Sequence, residues 1–482
     1  MNNVVETEIR SQLPRLLSLT DRNPCSPTYG CLSRPYWHDK LVGFPNAHAQ
    51  SALLVLALAA QQGHPAAAPE ELRPLARAAL GFWAAMQRPD GSFDEHYQNE
   101  HSYGAAAWTT AAVIPAARLV HGRELPDALE KAIRNSARFL CTGTEPGRLA
   151  NHKAIGACAL LDAGDYLAVP QWTDRGRALV GQLIAEQDPE GWFMEYDGCD
   201  PGYLTVSLSY LTRAYDRHPD PALKAAILRG IAFFSTIVFR DGWSGGPMGS
   251  RGSTHLYPLP FARWSGESDD AAAVLSVFTA SDSRLQLPSA MDDKHFGNLL
   301  TDYWLAAALP WKTGPLADGE WYHPGAGLWC RRAGGQQAMV AFKNGGAIRA
   351  RGGVHLSHYG YTLTDSRGKS FTSLGASTFR RQGDTLTVHA PFRPIPRNTL
   401  TGSRRLALAL FVHTLGRNRR LSLWFKKQIL RVLILTPPSA ATFTREIDLA
   451  TLTVRDQAPP HARPLTSWPG RFVPSSRFFV SD

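Results

Sequence analysis

Asn151 and His152 stand side by side at the start of a helical pattern, and Tyr203 closes an acid- and aromatic-rich stretch, DPEGWFMEYDGCDPGY, that begins at Asp188. An amide beside an imidazole at a helix mouth suits a bound carboxylate, because the amide donates a hydrogen bond and the first turn carries partial positive charge. The imidazole can also take a proton near neutral pH. A tyrosine can take or give one, provided a neighbouring cation or imidazole lowers its high intrinsic pKa. Each residue has a plainer alternative: Asn151 as a helix N-cap, His152 as a satisfied helix-end imidazole, Tyr203 as a buried structural ring.

Further polar groups have the chemistry to hold sugar hydroxyls and carboxylates. They are Glu95, His96 and Tyr97 in one loop, Arg251 and His255 in SRGSTHLYP, and His355 and His358 in RARGGVHLSHYGYTLTD. Tyr36, Trp37 and His38 have two readings, a sugar surface or an aromatic clamp over the first helices.

Helical patterning must position most of these groups. Apolar residues recur at three and four spacing through 48–62, 70–87, 103–121, 126–141, 152–168, 172–187, 202–217, 221–238, 268–281 and 294–308. The loops MQRPDGSFDEHY (86–97), AEQDPEGWFMEYDG (185–198) and VFRDGWSGGPMGS (238–250) repeat a Gly, an aromatic and a polar stretch after a helix end, at separations of about fifty residues or multiples of it. Helical hairpins of this kind stack around into an α/α toroid, read here as incomplete and spanning 46–310. Residues 1–45 read as an irregular arm. From 311 to 482 the period is two and the turns are glycine-rich, so the expectation is an antiparallel β-sandwich-type domain, making the whole an α+β multidomain chain. One interruption, 405–436, crowds Trp424, Phe425, Ile429, Leu430, Val432 and Leu433 among Arg417, Arg419, Arg420, Lys426, Lys427 and Arg431. That composition suits a helix in an anionic membrane interface, or one docked on the β-domain with its cations in water.

The chain is 482 residues long, and Lys+Arg 51 against Asp+Glu 41 favours an anionic partner. The cations are dispersed and no reader motif is present, which disfavours nucleic acid. Six scattered cysteines form no CxxC pair and read as reduced thiols. The amino terminus has no secretory pattern and no apolar run is long enough to span a bilayer. The expected location is the cytoplasm, with peripheral attachment to the inner face of the membrane through 405–436.

Asn-His at a helix start, then Asp-Pro-Gly-Tyr at the next helix, then a β-domain, resembles the heparinase II/III-like polysaccharide lyases and related alginate lyases. The resemblance implies that Asn151 neutralises a uronate carboxylate, that His152 and Tyr203 act as base and acid, and that a β-domain histidine, His355, joins them. It implies no catalytic cofactor; some relatives hold a structural zinc, for which His323, His355 and His358 would be the set. The β-domain departs from the family's His-x-His-x-Asp-like segment. The expected chemistry is C5-proton abstraction from a uronic acid in an acidic polysaccharide or lipid-linked glycan. β-Elimination then gives a lyase and reprotonation a C5-epimerase, the kind of reaction that suits polysaccharide biosynthesis. A non-catalytic glycan-binding scaffold is the reading from another class. A triterpene cyclase, also a toroid, would need an Asp-x-Asp-Asp motif, which neither SDD (268–270) nor MDD (291–293) provides.

Overall fold

A computed structural model of the chain describes residues 3–145, 147–280, 287–395, 402–433 and 438–466. Helices α1 (Asn3–Leu19), α2 (Arg34–Trp37), α3 (Ala47–Gln50), α4 (Leu53–Gln62) and α5 (Pro69–Ala85) come first. They are followed by α6 (Tyr103–His121), α7 (Asp127–Thr142), α8 (Ala150–Leu167), α9 (Pro170–Glu186), α10 (Pro201–Arg217) and α11 (Pro221–Ile237), then α12 (Leu259–Trp264), α13 (Asp269–Ala280) and α14 (Phe296–Ala307).

The even-numbered helices from α4 to α14 pack side to side, and α14 returns against α4, so six inner helices make a ring with α1, α5, α7, α9, α11 and α13 outside. Composition sorts the two layers. An inner helix is apolar or small all round, as in α6, where every residue from Tyr103 to Ile114 is buried. An outer helix buries one stripe, as in α7 with Leu129, Ala132, Ile133, Ala137 and Leu140.

The inner helices meet end to end through α14 and α4. The missing outer helix is α1, inside the stretch read as irregular. Its Val5, Leu13, Leu16 and Leu17 are buried, and Arg15 donates to the Met291 carbonyl at 2.8 Å and pairs with Asp293 at 2.6 Å. Pro14 in mid-helix and the early acids hide its apolar spacing.

The repeated loops are joints between hairpins. Gln87 Nε2 donates to the Ala132 carbonyl at 2.8 Å, and Gln187 Nε2 repeats the contact on the Ala226 carbonyl at 2.9 Å. Gly91 and Gly191 both have left-handed φ, +86° and +108°. A Cβ on either would lie 2.3–2.4 Å from the carbonyl oxygen of Asn135 or Arg229. The repeat therefore specifies architecture.

After the ring, strands Gly319–His323, Leu328–Ala333, Gln336–Ala341, Ala347–Arg351 and Leu356–His358 form one antiparallel sheet in sequence order. Its two faces enter different cores. Cys330, Met339, Ala341 and Ala347 join the toroid core, while Trp329, Ala338, Val340 and Ile348 pack with Leu386, Val388 and Ile447 from a second, four-stranded sheet. Between strands Thr385–Pro391 and Thr442–Asp448 of that second sheet the chain leaves as a helical hairpin, α15 (Gly402–His413) and α16 (Arg419–Leu433). The hairpin docks on the toroid, correcting the alternative of a helix lying on the β-domain. Asn99 Nδ2 donates to the Val412 carbonyl at 2.5 Å, and Ser422 Oγ donates to the Asn99 carbonyl at 2.8 Å. The side chains of Ile429, Leu430, Arg431, Val432 and Leu433, and residues 434–437, lie outside the described residues.

Candidate active site at the loop end of the ring

Local sequence places Asn151 and Tyr203 in the first turns of neighbouring inner helices, α8 and α10. Leu149 is the α8 N-cap and makes no side-chain capping bond. Asn151 is therefore free of the capping role, and its backbone N and Nδ2 donate to the two oxygens of Glu195 at 2.9 and 2.7 Å. Asp200 caps α10, accepting from Tyr203 N at 3.1 Å, and its other oxygen accepts from Arg251 N at 2.9 Å. One carboxylate thus fixes Tyr203 and Arg251 relative to each other. The Arg251 guanidinium lies over the Tyr203 ring at 3.5 Å and reaches Glu195 Oε2 at 3.2 Å. His255 stands edge-on to Tyr203, with ring centroids 5.0 Å apart. Tyr196, at the tip of the hairpin that carries Glu195 and with φ of +60°, faces Arg251 from 5.0 Å. Asn151, Glu195, Arg251, Tyr203 and His255 form one buried cluster.

His152 sits beside them and points its Nδ1 at Glu145 Oε2, 2.6 Å away. A neutral imidazole that gives Nδ1–H to this carboxylate keeps its lone pair on Nε2, the tautomer of a proton acceptor. Glu145 belongs to a series of acids on three loops of the ring: Glu95 and Glu100 before α6, Glu145 before α8 and Glu195 before α10. Three of them pair with cations, Lys294 on Glu95 at 2.6 Å, Lys426 on Glu100 at 2.9 Å and Arg251 on Glu195 at 3.2 Å, and Glu145 has the His152 imidazole. Lys426 comes from α16, so the hairpin inserts a cation among acids of the ring. A cavity of about 500 Å³ opens next to this row, lined by Glu145, Arg148, Lys153, Arg175, Trp192 and Phe193.

Burial decides most protonation states. It pushes the Tyr203 phenol well above its ordinary value, and the adjacent Arg251 only partly offsets it. The phenol is therefore protonated at neutral pH, contrary to the expectation that a neighbouring cation would lower it. Burial, reinforced by Arg251, drops His255 to about 3, so that imidazole is neutral. Burial raises Glu195 despite Arg251 and Asn151. For Glu145 burial works upward too, but the His152 imidazole bonded to it outweighs burial and the carboxyl ends below its usual range.

The loop residues Glu95, His96 and Tyr97 share this end of the ring. Glu100 accepts from the backbone N of Glu95 and His96 at 3.0 and 2.7 Å, and Phe425 of α16 covers Tyr97. The β-domain histidines are not brought in. His355 is exposed in a turn set by Gly352 and Gly353, both with φ of +76°. His358 Nδ1 lies 2.6 Å from buried Arg445 and braces the sheets. His323 bonds Thr236 Oγ1 at 2.8 Å, so the three imidazoles imagined around a zinc each have separate surroundings. Metal-ligating atoms do approach one another in His48, Glu95 and His295, and in Glu95, His96 and Glu100. Lys294 already neutralises Glu95 there. Glu145 and Lys426 were missed, although the stretch holding Glu145, CTGTEPGRLANHK (141–153), occupies the repeat slot without an aromatic. Lys426 gave no signal, because its partner is more than three hundred residues away.

No protein-family model matches the sequence, and no curated protein matches it. Solved structures do. The chondroitin AC lyase of Streptomyces coelicolor A3, in complex with chondroitin sulphate, superposes with a TM-score of 0.56 at 12% identity, over 81% of this chain and 66% of that one. The chain shares its fold with a polysaccharide lyase. A tyrosine-to-alanine mutant of the same enzyme gives a TM-score of 0.50 at 12% identity over the same shares. Xanthan lyase from Paenibacillus, at 13% identity, is matched over 81% of this chain and 45% of its own, with a TM-score of 0.49. The chain thus spans less than two thirds of the length of these lyases. The α/α toroid followed by antiparallel sheets, expected from the sequence, is the fold observed.

Proposed function

We propose that the protein is a polysaccharide lyase that abstracts the C5 proton of a uronic acid within an acidic polysaccharide. The observation that carries this reading is the grip of Asn151 and Arg251 on a carboxylate, that of Glu195. A uronate that displaces Glu195 meets the same donors, and they stabilise the charge that spreads into its carboxylate as C5 loses its proton. His152, with its tautomer set by Glu145, is the base. Tyr203, held protonated by burial, is the acid that delivers a proton to the departing 4-linked oxygen. The same reading assigns sugar contacts to His255, Tyr97, His96 and Glu95. No step calls for a cofactor.

The test is to incubate the purified chain with chondroitin, hyaluronan, heparan, alginate and pectate in deuterated water. Ultraviolet absorbance of an unsaturated uronate product supports the proposal. Deuterium at C5 without that absorbance replaces elimination with epimerisation, and neither signal on any polymer leaves a glycan-binding protein.

A further inference from the structure

The outer side of the α15–α16 hairpin has no protein partner among the described residues and combines two features that rarely coincide. Leu406 (72% exposed), Leu410 (65%), Leu415 (58%), Leu421 (40%) and Trp424 (59%) stand out into solvent there. They follow from helical spacing: Leu406 and Leu410 are four apart on α15, Leu421 and Trp424 three apart on α16, and Leu415 lies in the joining turn. The opposite side holds the hairpin down through the Val412 carbonyl, Ser422, Phe425 and Lys426. The exposed leucines and tryptophan are therefore left over from docking.

The second feature is charge. Not one Asp or Glu occurs between Asp384 and Glu446. Arg404, Arg417, Arg420 and Lys427 are exposed on the same helices and their joining turn. An ordinary solvated helix face mixes both signs, whereas exposed apolar side chains interspersed with cations, in a stretch without a single acid, match a surface that is oily inside and anionic outside. No helix among the described residues is long and apolar enough to cross a membrane, so the contact is one of lying in the interface.

We propose that this face docks on an anionic lipid surface, with Trp424 and the four leucines entering the headgroup–acyl boundary and the arginines facing lipid phosphates. The inference stands whatever chemistry the ring performs. Docking would place the loop end of the toroid, to which Lys426 ties α16, next to the membrane.

The experiment is flotation of the full chain with phosphatidylcholine vesicles, with and without phosphatidylglycerol, beside a double variant Leu410→Glu, Trp424→Glu. The expected result is flotation with the anionic vesicles only, weakened by salt. The double variant should bind at least about tenfold more weakly while its melting temperature stays that of the parent. Equal binding to uncharged vesicles, or parent-like binding by the variant, overturns the proposal. So does light scattering that shows the parent to be a dimer and the variant a monomer, which would assign the face to a second copy. Capture of a soluble acidic polysaccharide that the same substitutions abolish, with no vesicle binding, would overturn it in favour of a glycan.

Discussion

Burial fixes what each group in the cluster can do before any substrate arrives. Tyr203 keeps its proton because its phenol has lost its water, and Asn151 holds the Glu195 carboxylate because Leu149, two residues earlier, leaves it out of the cap. If the proposed reaction is right, Tyr203→Phe should lower kcat by roughly 10²–10⁴ with a small change in KM, as loss of a general acid does. Asn151→Ala should lower kcat by about 10²–10³. Equal losses in binding and no loss in turnover would deny both roles. A third residue tests the same principle on stability. Asp302 of α14 is buried against α10 and α12, where it accepts from Leu259 N at 2.8 Å and from Ser209 Oγ, and burial raises its pKa from 3.8 to about 7. The fold favours its protonated form. Its contribution is therefore most favourable below about pH 4, and stability is lost as pH rises towards 7. Asp302→Asn should be more stable than the parent by a few kcal/mol above pH 7 and no more stable at pH 4, as read from urea melts at both.

At the scale of elements, two features make opposite demands on the reader of a sequence. The repeated loops were legible because their physics is local: a glutamine that bonds the next helix and a glycine that must turn left recur within each segment. Gly191→Ala should cost roughly 2 kcal/mol or more, since its Cβ would meet the Arg229 carbonyl at 2.4 Å and its φ is +108°. A thermal melt unchanged from the parent would refute that account. The α15–α16 hairpin was legible in composition but not in place, because nothing in RNRRLSLWFKKQ says that one lysine turns inward to Glu100. Burial alone would discharge Lys426, yet Glu100 and Glu145 raise its pKa. Lys426→Met strands buried Glu100 and should destabilise the chain by roughly 3–5 kcal/mol. Adding Glu100→Gln should recover most of that loss. Limited proteolysis within 402–433 should rise in the single variant and fall back in the double one. α1 was illegible for a different reason, since its partner α14 is the last helix of the ring and only closure reveals the need for it.

For the molecule as a whole, the question is whether toroid and sheets are two folding units or one. The change from period 3.6 to period two after residue 310 marks a change of architecture, but side chains cross it. Gln337 accepts from Arg240 N and donates to the Val238 carbonyl, both at 2.8 Å. Arg332 donates to the Ser235 carbonyl at 2.6 Å, and Glu190 accepts from Gly325 N and Ala326 N at 2.6 and 2.8 Å. The first sheet's inner face, with Cys330, Met339 and Ala341, belongs to the toroid's own core. A cut at the boundary would leave those carbonyls and apolar faces against water on one side and bare on the other. The expected outcome in calorimetry is that the toroid and the five-stranded sheet melt in one transition. A fragment ending near residue 315 should be aggregated or expanded, with exposed apolar surface detectable by dye binding. Two resolved transitions, or a monomeric fragment that keeps the parent's near-ultraviolet dichroism, would show instead that the sheet is an attachment and that the ring holds its loop end in shape alone.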